Sequence, residues 1–251
     1  MVSVAIIVPF RIQNGQNRGW ELEQFSLYMT KYMDEILKKE KINKYHIYVI
    51  EQDYGKKFNR GMLLNIGFHL TNKSYNTFIF HDVDLLPSKN IQRYYSIEPK
   101  YKQTCANVIR GPIHIGSCWK DRYSNHSYFG GIISFGKKMF EDINGFPNHF
   151  WGWGGEDDAL MDRCSVNNIV SIKVNGKIND IEQDSFGNSM NLEEKLQFLK
   201  KNKDWKCHDK WECRDKDKLN WENYGYNTIH EHYKIIKWET VHEITKITVR
   251  V

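Results

Sequence analysis

Residues 151–158, WGWGGEDD, place two tryptophans, three glycines and three consecutive acids in eight positions. A tryptophan face suits the apolar C–H face of a sugar ring, and glycines let such a loop move over a substrate. Acids in the first turn of a helix complement the helix dipole, which accounts for one or two of the three. Because Glu156, Asp157 and Asp158 repel one another, the run favours a site that binds a polar substrate or takes up a proton.

A second candidate site is Asp82-Val83-Asp84, which follows the apolar run Thr77–Phe80. Carboxylates at alternate positions of a turning backbone can share a hard divalent cation or its water ligands. A cation held there would neutralise a diphosphate. Aspartates at strand ends also start ordinary turns, so the pattern alone is a weak signal.

Three further residues have both a functional and a structural interpretation. Arg60 opens a predicted helix and could reach a phosphate or stack on a base, or it could be an exposed arginine on a capped helix. Arg11 follows Pro9-Phe10 and leaves the same alternatives open. Tyr128 precedes Phe129-Gly130-Gly131, which could border a site or form a strand with a bulge.

The elements around these residues alternate as in an α/β fold. The predicted order is a strand at Val4–Pro9, a helix at Glu21–Lys39, a strand at His46–Ile50, a helix at Asn59–Leu70 and a strand at Thr77–Phe80. Ligands of open α/β sheets bind beyond the carboxyl ends of the strands. The polar groups that follow the three strands are therefore expected at one edge of the sheet.

The second half of the chain is less regular. We predict a strand at Tyr128–Phe135, helices at Lys137–Ile143, Asp157–Cys164 and Leu192–Lys201, and a hairpin of strands around Ile229–Lys237 and Ile244–Val251. The sequence shows no internal repeat and no clear linker. One domain over residues 1–251 is expected.

Composition narrows the class of protein. The chain has 36 basic and 31 acidic residues and a formal charge of +5, and its basic residues are scattered. Such a dispersed excess is typical of a solvated surface, so we expect no nucleic-acid partner. No apolar run is long enough to span a membrane, and the start MVSVAIIVPFR lacks a signal peptide pattern. We therefore expect no membrane segment and a cytoplasmic or otherwise soluble location.

Cysteine usage gives little sign of a metal site or a disulfide framework. The five cysteines are an odd number without paired CxxC spacing, which mildly favours a reducing compartment. Cys207, His208 and Cys213 could bind a metal, but their spacing does not indicate a zinc site.

Five sequence blocks, taken together, resemble the beta-1,4-galactosyltransferase family, inverting enzymes that move a sugar from a UDP-sugar to an acceptor hydroxyl. The blocks lie between Val4 and about Ile172 and read VAIIVPFR, FNRGMLLNIGF, FHDVDLLP, YFGGIISF and NGFPNHFWGWGGEDD. The resemblance implies a GT-A type nucleotide-sugar-binding domain whose central, mostly parallel sheet is flanked by helices. It divides that domain into a nucleotide-sugar half (1–90), an acceptor and catalytic half (91–186) and a C-terminal extension packed on them (187–251).

The resemblance also implies ligands and a location. UDP-galactose is the implied donor and a glycan or glycoconjugate the implied acceptor, with Mn²⁺ or another divalent cation such as Mg²⁺ as cofactor. Relatives of the family are Golgi-lumenal, so a removed anchor is compatible with the expected solubility.

Site roles follow from the same resemblance, position by position. Asp157 is the implied general base, and Tyr128, Trp153, Gly155, Glu156 and Asp158 border the acceptor. The implied nucleotide-sugar contacts are Pro9, Phe10, Arg11, Phe58, Arg60, Asp82, Val83 and Trp153. Tyr128 stands where galactose-preferring members have tyrosine, and Gly155 stands where the xylose-directed branch has arginine, which favours an N-acetylglucosamine-like or glucose-like acceptor.

The metal site departs from the family pattern. Asp84 is an implied ligand, but the stretch 178–188, where the remaining ligands should lie, has no histidine. Asp184 is our expected second ligand, and Glu182 is the alternative. The family's second basic residue after PFR is also replaced, since Arg11 is followed by Ile12-Gln13. Three alternatives remain open. The chain could be a transferase of the same family that uses UDP-GalNAc, a xylose-directed transferase, or a sugar-binding homologue with impaired catalysis.

Overall fold

The computed structural model describes residues 1–103, 109–119, 128–202 and 205–251. The strands of this part are β1 Ser3–Phe10, β2 Lys44–Gln52, β3 Thr77–His81, β4 Leu85–Pro87, β5 Lys102–Gln103, β6 Ile109–His114, β7 Ile132–Gly136, β8 Ile169–Lys173, β9 Ile178–Asp180, β10 Lys234–Val241 and β11 Ile244–Arg250. Its α-helices are α1 Arg18–Lys38, α2 Arg60–Thr71, α3 Lys137–Asp142, α4 Glu156–Val166, α5 Leu192–Lys201 and α6 Lys210–Asn220. Short 3-10 segments span Lys89–Ser96, Ile115–Cys118 and Tyr226–Glu231.

A mixed sheet forms the centre of the described structure. Its strands lie in the order β10-β11-β2-β1-β3-β7-β6-β5, and β8 pairs with β6. The neighbours β11, β2, β1 and β3 run parallel, whereas β10, β7 and β5 are antiparallel to their neighbours. The predicted parallel α/β sheet flanked by helices is therefore confirmed at its centre, with antiparallel strands on both sides.

Helices cover both faces of β1, which explains why the whole strand is buried. Successive side chains of a strand point to opposite faces. Val4, Ile6 and Val8 pack in the hydrophobic cluster that contains the buried face of α1. Ala5 and Ile7 pack in the cluster that contains α2 and part of α4.

Two strands begin later than predicted. The strand predicted from Ile229 begins at Lys234, because Ile229 lies in the 3-10 segment and is buried against the α2 cluster. The strand predicted from Tyr128 begins at Ile132, because Gly131 takes a left-handed backbone with φ +79°. The predicted antiparallel pairing of the last two strands is confirmed.

The predicted N-cap of α2 is confirmed. The side chain of Asn59 accepts a hydrogen bond from the amide of Met62 at 2.9 Å, and its own amide nitrogen donates to the carbonyl of Asn148 at 2.8 Å. This fully buried residue therefore caps the helix and also attaches the loop that leads to Trp151.

Helix α6, which the sequence did not predict, attaches the C-terminal segment to α4. Although its sequence is polar, α6 makes a buried ion pair. Arg163 of α4 donates to the two carboxylate oxygens of Asp217 at 2.6 and 2.9 Å, and each of the two side chains is only 1% exposed. None of the helices in the described ranges is long and apolar enough to cross a membrane.

Substitution Asp217→Asn should destabilise the fold strongly, because Arg163 would remain buried without its counter-charge. Removing one partner of such a pair costs about 3–5 kcal/mol. Urea unfolding measures the loss. The matched control is Glu212→Gln on the same helix. Glu212 pairs with Lys216 on the surface, so the loss of this exposed ion pair should not measurably change stability. Equal stability of the two variants would contradict the structural role of the Arg163–Asp217 pair.

Candidate active site

A cavity of about 400 Å³ lies at the carboxyl ends of β1 and β3. The residues that line it from the predicted set are Pro9, Phe10, Arg11, Phe58, Arg60, Asp82, Val83, Asp84, Tyr128, Trp153, Gly155, Glu156, Asp157 and Asp158. Only Asp184 of the predicted set is absent from the lining. The structure thus brings together residues separated by up to about 150 positions in the sequence.

Arg60, the first residue of α2, connects the two acidic segments. Its Nε donates to Oδ1 of Asp82 at 2.7 Å, and its Nη1 donates to Oδ1 of Asp157 at 2.7 Å and lies 3.5 Å from Oε1 of Glu156. Burial opposes the charge of Arg60, but these carboxylates raise its pKa well above the usual value. Its Nη2 is buried and has no hydrogen-bond partner among the described residues. The guanidinium is therefore tightly held and still has a donor for a ligand.

The three consecutive acids are accommodated in different ways. Burial, followed by the charge of Asp157, raises the pKa of Glu156 to about 8, so this carboxyl is held largely protonated at neutral pH. Asp157 instead forms the close ion pair with Arg60. Asp158 lies 4.0 Å from Arg214 of α6, although burial raises its pKa. The repulsion expected from the sequence is thus relieved by protonation and by two arginines.

Gly130 leaves the space that the carboxylate of Asp157 occupies. A Cβ added to Gly130 would overlap Oδ2 of Asp157, so any larger residue would displace the carboxylate. Since Oδ1 of Asp157 is held by Arg60, Oδ2 is the atom that can accept a proton from a substrate.

The tryptophan loop is joined to the C-terminal segment. Gly152, Gly154 and Gly155 have φ between +99° and +104°, which favours glycine at each position. The amide of Trp153 donates to the carbonyl of Trp205 at 2.6 Å, and its carbonyl accepts from the amide of Cys207 at 3.1 Å. Trp205 also lines the cavity, a role that nothing in its local sequence indicated.

A second arginine, Arg18, contacts the predicted metal ligand. Its Nη1 lies 3.1 Å from Oδ2 of Asp84 and 2.7 Å from Oε2 of Glu21, and its Nη2 lies 3.5 Å from Oε1 of Glu182. Lys195 of α5 also contacts Oε1 of Glu182, at 2.8 Å. Sequence analysis missed Arg18 because α1 was predicted to begin at Glu21, three residues too late.

Asp184 does not occupy the position expected of a second metal ligand. Its carboxylate accepts hydrogen bonds from the amides of Phe186 and Asn188 in its own turn, both at 2.9 Å. Glu182 is instead buried and shares Arg18 with Asp84. The pairing of Asp184 with Asp84 is therefore not found, because the side chain is used to close the turn.

The donor atoms around Arg18 fit a hard divalent cation. Asp84 lines the cavity, and Glu182 is buried beside Arg18 outside the lining. Both offer carboxylate oxygens, which Mn²⁺ and Mg²⁺ prefer. Arg18 engages Oδ2 of Asp84, which leaves Oδ1 as its donor for a cation. The guanidinium already supplies one positive charge to the carboxylates, so a cation would have to share or displace it.

Comparison with known proteins agrees with this fold. The family model of the N-terminal region of glycosyl transferase group 7 matches residues 1–97, and that of the N-terminal domain of galactosyltransferase matches residues 110–183. Beta-1,4-galactosyltransferase 4 of Homo sapiens is 38% identical over 165 residues, which cover 65% of this chain and 42% of that protein. Beta-1,4-galactosyltransferase 1 of Bos taurus is 37% identical over 181 residues, which cover 70% of this chain and 39% of that protein.

Solved structures show the same fold. The catalytic domain of Drosophila beta-1,4-galactosyltransferase 7 in complex with xylobiose matches with a TM-score of 0.72 and 25% identity, over 100% of this chain and 94% of that chain. A mutant of that enzyme in complex with manganese, UDP-Gal and xylobiose matches with a TM-score of 0.68 and 24% identity, over the same shares of the two chains.

The fold is that of GT-A type glycosyltransferases, with the cavity at the carboxyl ends of the central strands. The chain belongs to the beta-1,4-galactosyltransferase family. It spans only about two fifths of the length of the curated relatives, 42% and 39% for the two named above.

Substitution Glu156→Gln should flatten the pH dependence of stability. The pKa of Glu156 rises from 4.5 to about 8 on folding. Between these values the folded protein keeps a proton that the unfolded chain releases, so the free energy of unfolding falls as pH rises, by at most about 1.4 kcal/mol per pH unit. Urea unfolding from about pH 5 to about pH 8 measures the slope. The exposed substitution Glu212→Gln is the control, and an unchanged slope in Glu156→Gln would refute the inferred protonation.

Proposed function

We propose that this protein transfers galactose from UDP-galactose to a hydroxyl of an acceptor sugar, with inversion at the transferred carbon. The observation that carries the proposal is the cavity in which Arg60 joins Asp82, on the expected donor side, to Asp157, on the expected acceptor side. Support also comes from the relatives, which are named as beta-1,4-galactosyltransferases. Residues 187–251 act in the same unit under this proposal, since Lys195, Trp205 and Lys210 line the cavity.

The arginine side chains on the proposed donor side of the cavity are suited to binding a diphosphate. Arg11 stacks over the ring of Phe58, with its guanidinium carbon 5.4 Å from the ring centroid. Arg60 retains a buried donor atom without a protein partner. Arg18 supplies a further guanidinium from the start of α1, although Ile12-Gln13 replaces the basic residue expected after Arg11. Pro9, Phe10 and Val83 would then contact the uridine and sugar.

The transfer step follows from the position of Asp157. The acceptor hydroxyl oxygen attacks C1 of galactose from the face opposite UDP, its proton passes to Oδ2 of Asp157, and the C1–O bond to the diphosphate breaks so that UDP leaves with the bonding electrons. Arg60 orients the carboxylate through Oδ1. Glu156, held protonated, and Asp158 can hydrogen-bond acceptor hydroxyls as donor and acceptor, respectively.

Two residues favour particular sugars. Tyr128 lines the cavity and stands where galactose-preferring members of the family have tyrosine. Its position supports galactose over a bulkier N-acetylated donor. Gly155 has φ +104°, and an added Cβ would come within 2.7 Å of Phe150. An arginine at this position, as in the xylose-directed branch, would be strained, which supports an N-acetylglucosamine-like or glucose-like acceptor.

Asp84 and Glu182 are the residues proposed to hold Mn²⁺ or a similar cation. When bound, the cation would neutralise negative charge on the leaving diphosphate. The Drosophila structure in complex with manganese and UDP-Gal supports a divalent cation at this general site. The contact between Arg18 and Asp84 favours one alternative, a sugar-binding homologue in which the guanidinium has replaced the cation and turnover is lost.

UDP release from UDP-galactose, measured with Mn²⁺ and a panel of N-acetylglucosamine, glucose and xylose acceptors, tests the function. We expect turnover with the first or second acceptor and a loss of about 10²–10⁴-fold in Asp157→Asn, because the general base is removed. UDP affinity should change little in this variant. Binding of UDP without turnover on any acceptor would support the sugar-binding alternative, and normal transfer by Asp157→Asn would refute the base.

Glu182 and Asp184 can be distinguished by cation binding. We expect Glu182→Gln to weaken Mn²⁺ binding by about tenfold or more, as loss of a ligand does, whereas Asp184→Asn should bind Mn²⁺ normally because its side chain closes a turn. Calorimetric titration with Mn²⁺ in the presence of UDP measures this difference. Thermal unfolding of each variant controls for the loss of the ion pairs that Glu182 makes with Arg18 and Lys195. Weakened binding in Asp184→Asn alone would overturn the assignment.

A further inference from the structure

Two cysteines and an aspartate meet at the start of α6, outside both regions that match the family models. The sulfur atoms of Cys207 and Cys213 and a carboxylate oxygen of Asp209 all lie within 4.8 Å of one another. Cys207 is 1% exposed and Cys213 is 8% exposed, whereas Asp209 is exposed. The first turn of α6 fixes the spacing, because the amide of Cys213 donates to the carbonyl of Asp209 at 2.8 Å.

Both thiols lie close to the same carboxylate. The Sγ atom of Cys207 donates to Oδ1 of Asp209 at 3.6 Å, and the Sγ atom of Cys213 lies within 4.8 Å of both groups. Two sulfur atoms and one carboxylate oxygen are therefore close enough for a divalent metal to bind all three.

We propose that Cys207, Asp209 and Cys213 bind a Zn²⁺ ion. Two sulfurs and one carboxylate oxygen are ligands that zinc accepts, with Zn–S distances of about 2.3 Å, and the spread of the three groups is compatible with those distances. Binding forms two Zn–S bonds and one Zn–O bond and releases both thiol protons to water. A water molecule supplies the fourth ligand on the exposed side of Asp209.

Ligand type separates this site from the cation site of the cavity. Thiolates are soft ligands that select zinc, whereas the carboxylates of Asp84 and Glu182 suit Mn²⁺ or Mg²⁺. The proposed zinc is therefore distinct from the cation proposed for the cavity. The proposal rests on the cluster alone and holds whether or not the chain transfers galactose.

The zinc site is connected to the tryptophan loop. Cys207 donates its backbone amide to the carbonyl of Trp153, and Phe150 and Ala159 pack against the two cysteines. A metal that joins residue 207 to residue 213 would hold the segment that pairs with Trp153. Zinc should therefore reduce the opening of residues 150–158.

A disulfide between Cys207 and Cys213 is the competing use of the same pair. A disulfide would require an oxidant, and it would leave Asp209 without a role in the cluster. The zinc site and the disulfide are distinguished by the metal content and the number of free thiols, measured on the full chain purified and kept reduced.

Zinc content by mass spectrometry and Co²⁺ substitution test the proposal. We expect one zinc per chain and, after exchange, a thiolate-to-cobalt charge-transfer absorption. Both should be lost in Cys207→Ser and Cys213→Ser and kept in Cys164→Ser, which replaces a buried cysteine outside the cluster. Since the serine variants could fail to fold, Asp209→Ala leaves both thiols in place and should weaken zinc binding by about tenfold or more.

Several results would overturn the inference. A reduced wild-type chain that takes up no Zn²⁺ would do so, as would a chain whose two thiols are recovered as a disulfide and that binds no metal after reduction. Equal zinc content in Cys207→Ser and the wild type would also refute the ligand set. Hydrogen exchange of residues 150–158 should slow on adding Zn²⁺ to the wild type, and zinc binding without that protection would refute the connection to the tryptophan loop.

Discussion

The candidate site depends on one guanidinium shared by two acidic segments. Arg60 contacts Asp82, which follows the third strand, and Asp157, which begins α4. Three neighbouring carboxylates in a partly buried cavity would repel one another without it, and burial alone would favour their neutral forms. The ion pair holds Asp157 in direct contact with Arg60, while burial raises the pKa of Glu156 to about 8. A single residue thus both orients the proposed base and connects it to the donor side.

A second charge cluster governs the other end of the cavity. Arg18 contacts Asp84, Glu21 and Glu182, and Lys195 adds a second cation on Glu182. Protein cations therefore already contact the carboxylates proposed to hold a metal, and a bound cation would have to share or displace them.

The C-terminal segment contributes to the cavity although the family models end before it. Trp205 and Cys207 hydrogen-bond the backbone of Trp153, and α6 is fixed to α4 by the buried pair of Arg163 and Asp217. The loop over the cavity is therefore supported from a part of the chain that carries its own cysteine cluster.

The sequence pattern predicted the parallel centre of the sheet and the N-cap of α2, and the family resemblance supplied many of the residues that line the cavity. Periodic apolar residues and capping side chains act over a few positions, so they can be recognised locally. Family blocks added the candidate roles of Asp157 and Asp84.

Only the tertiary structure decided which charges meet. Arg18 and Asp84 are 66 positions apart, and Gln16 and Glu182 are 166 apart. Nothing in local spacing distinguishes Glu182, which is buried beside Arg18, from Asp184, which closes a turn. In the same way, the local sequence did not show that the sulfur atoms of Cys207 and Cys213 lie near Asp209, because the helix that carries Cys213 has no clear apolar pattern. Ion pairs and metal ligands depend on distances of a few ångströms between side chains, and packing of remote elements sets those distances.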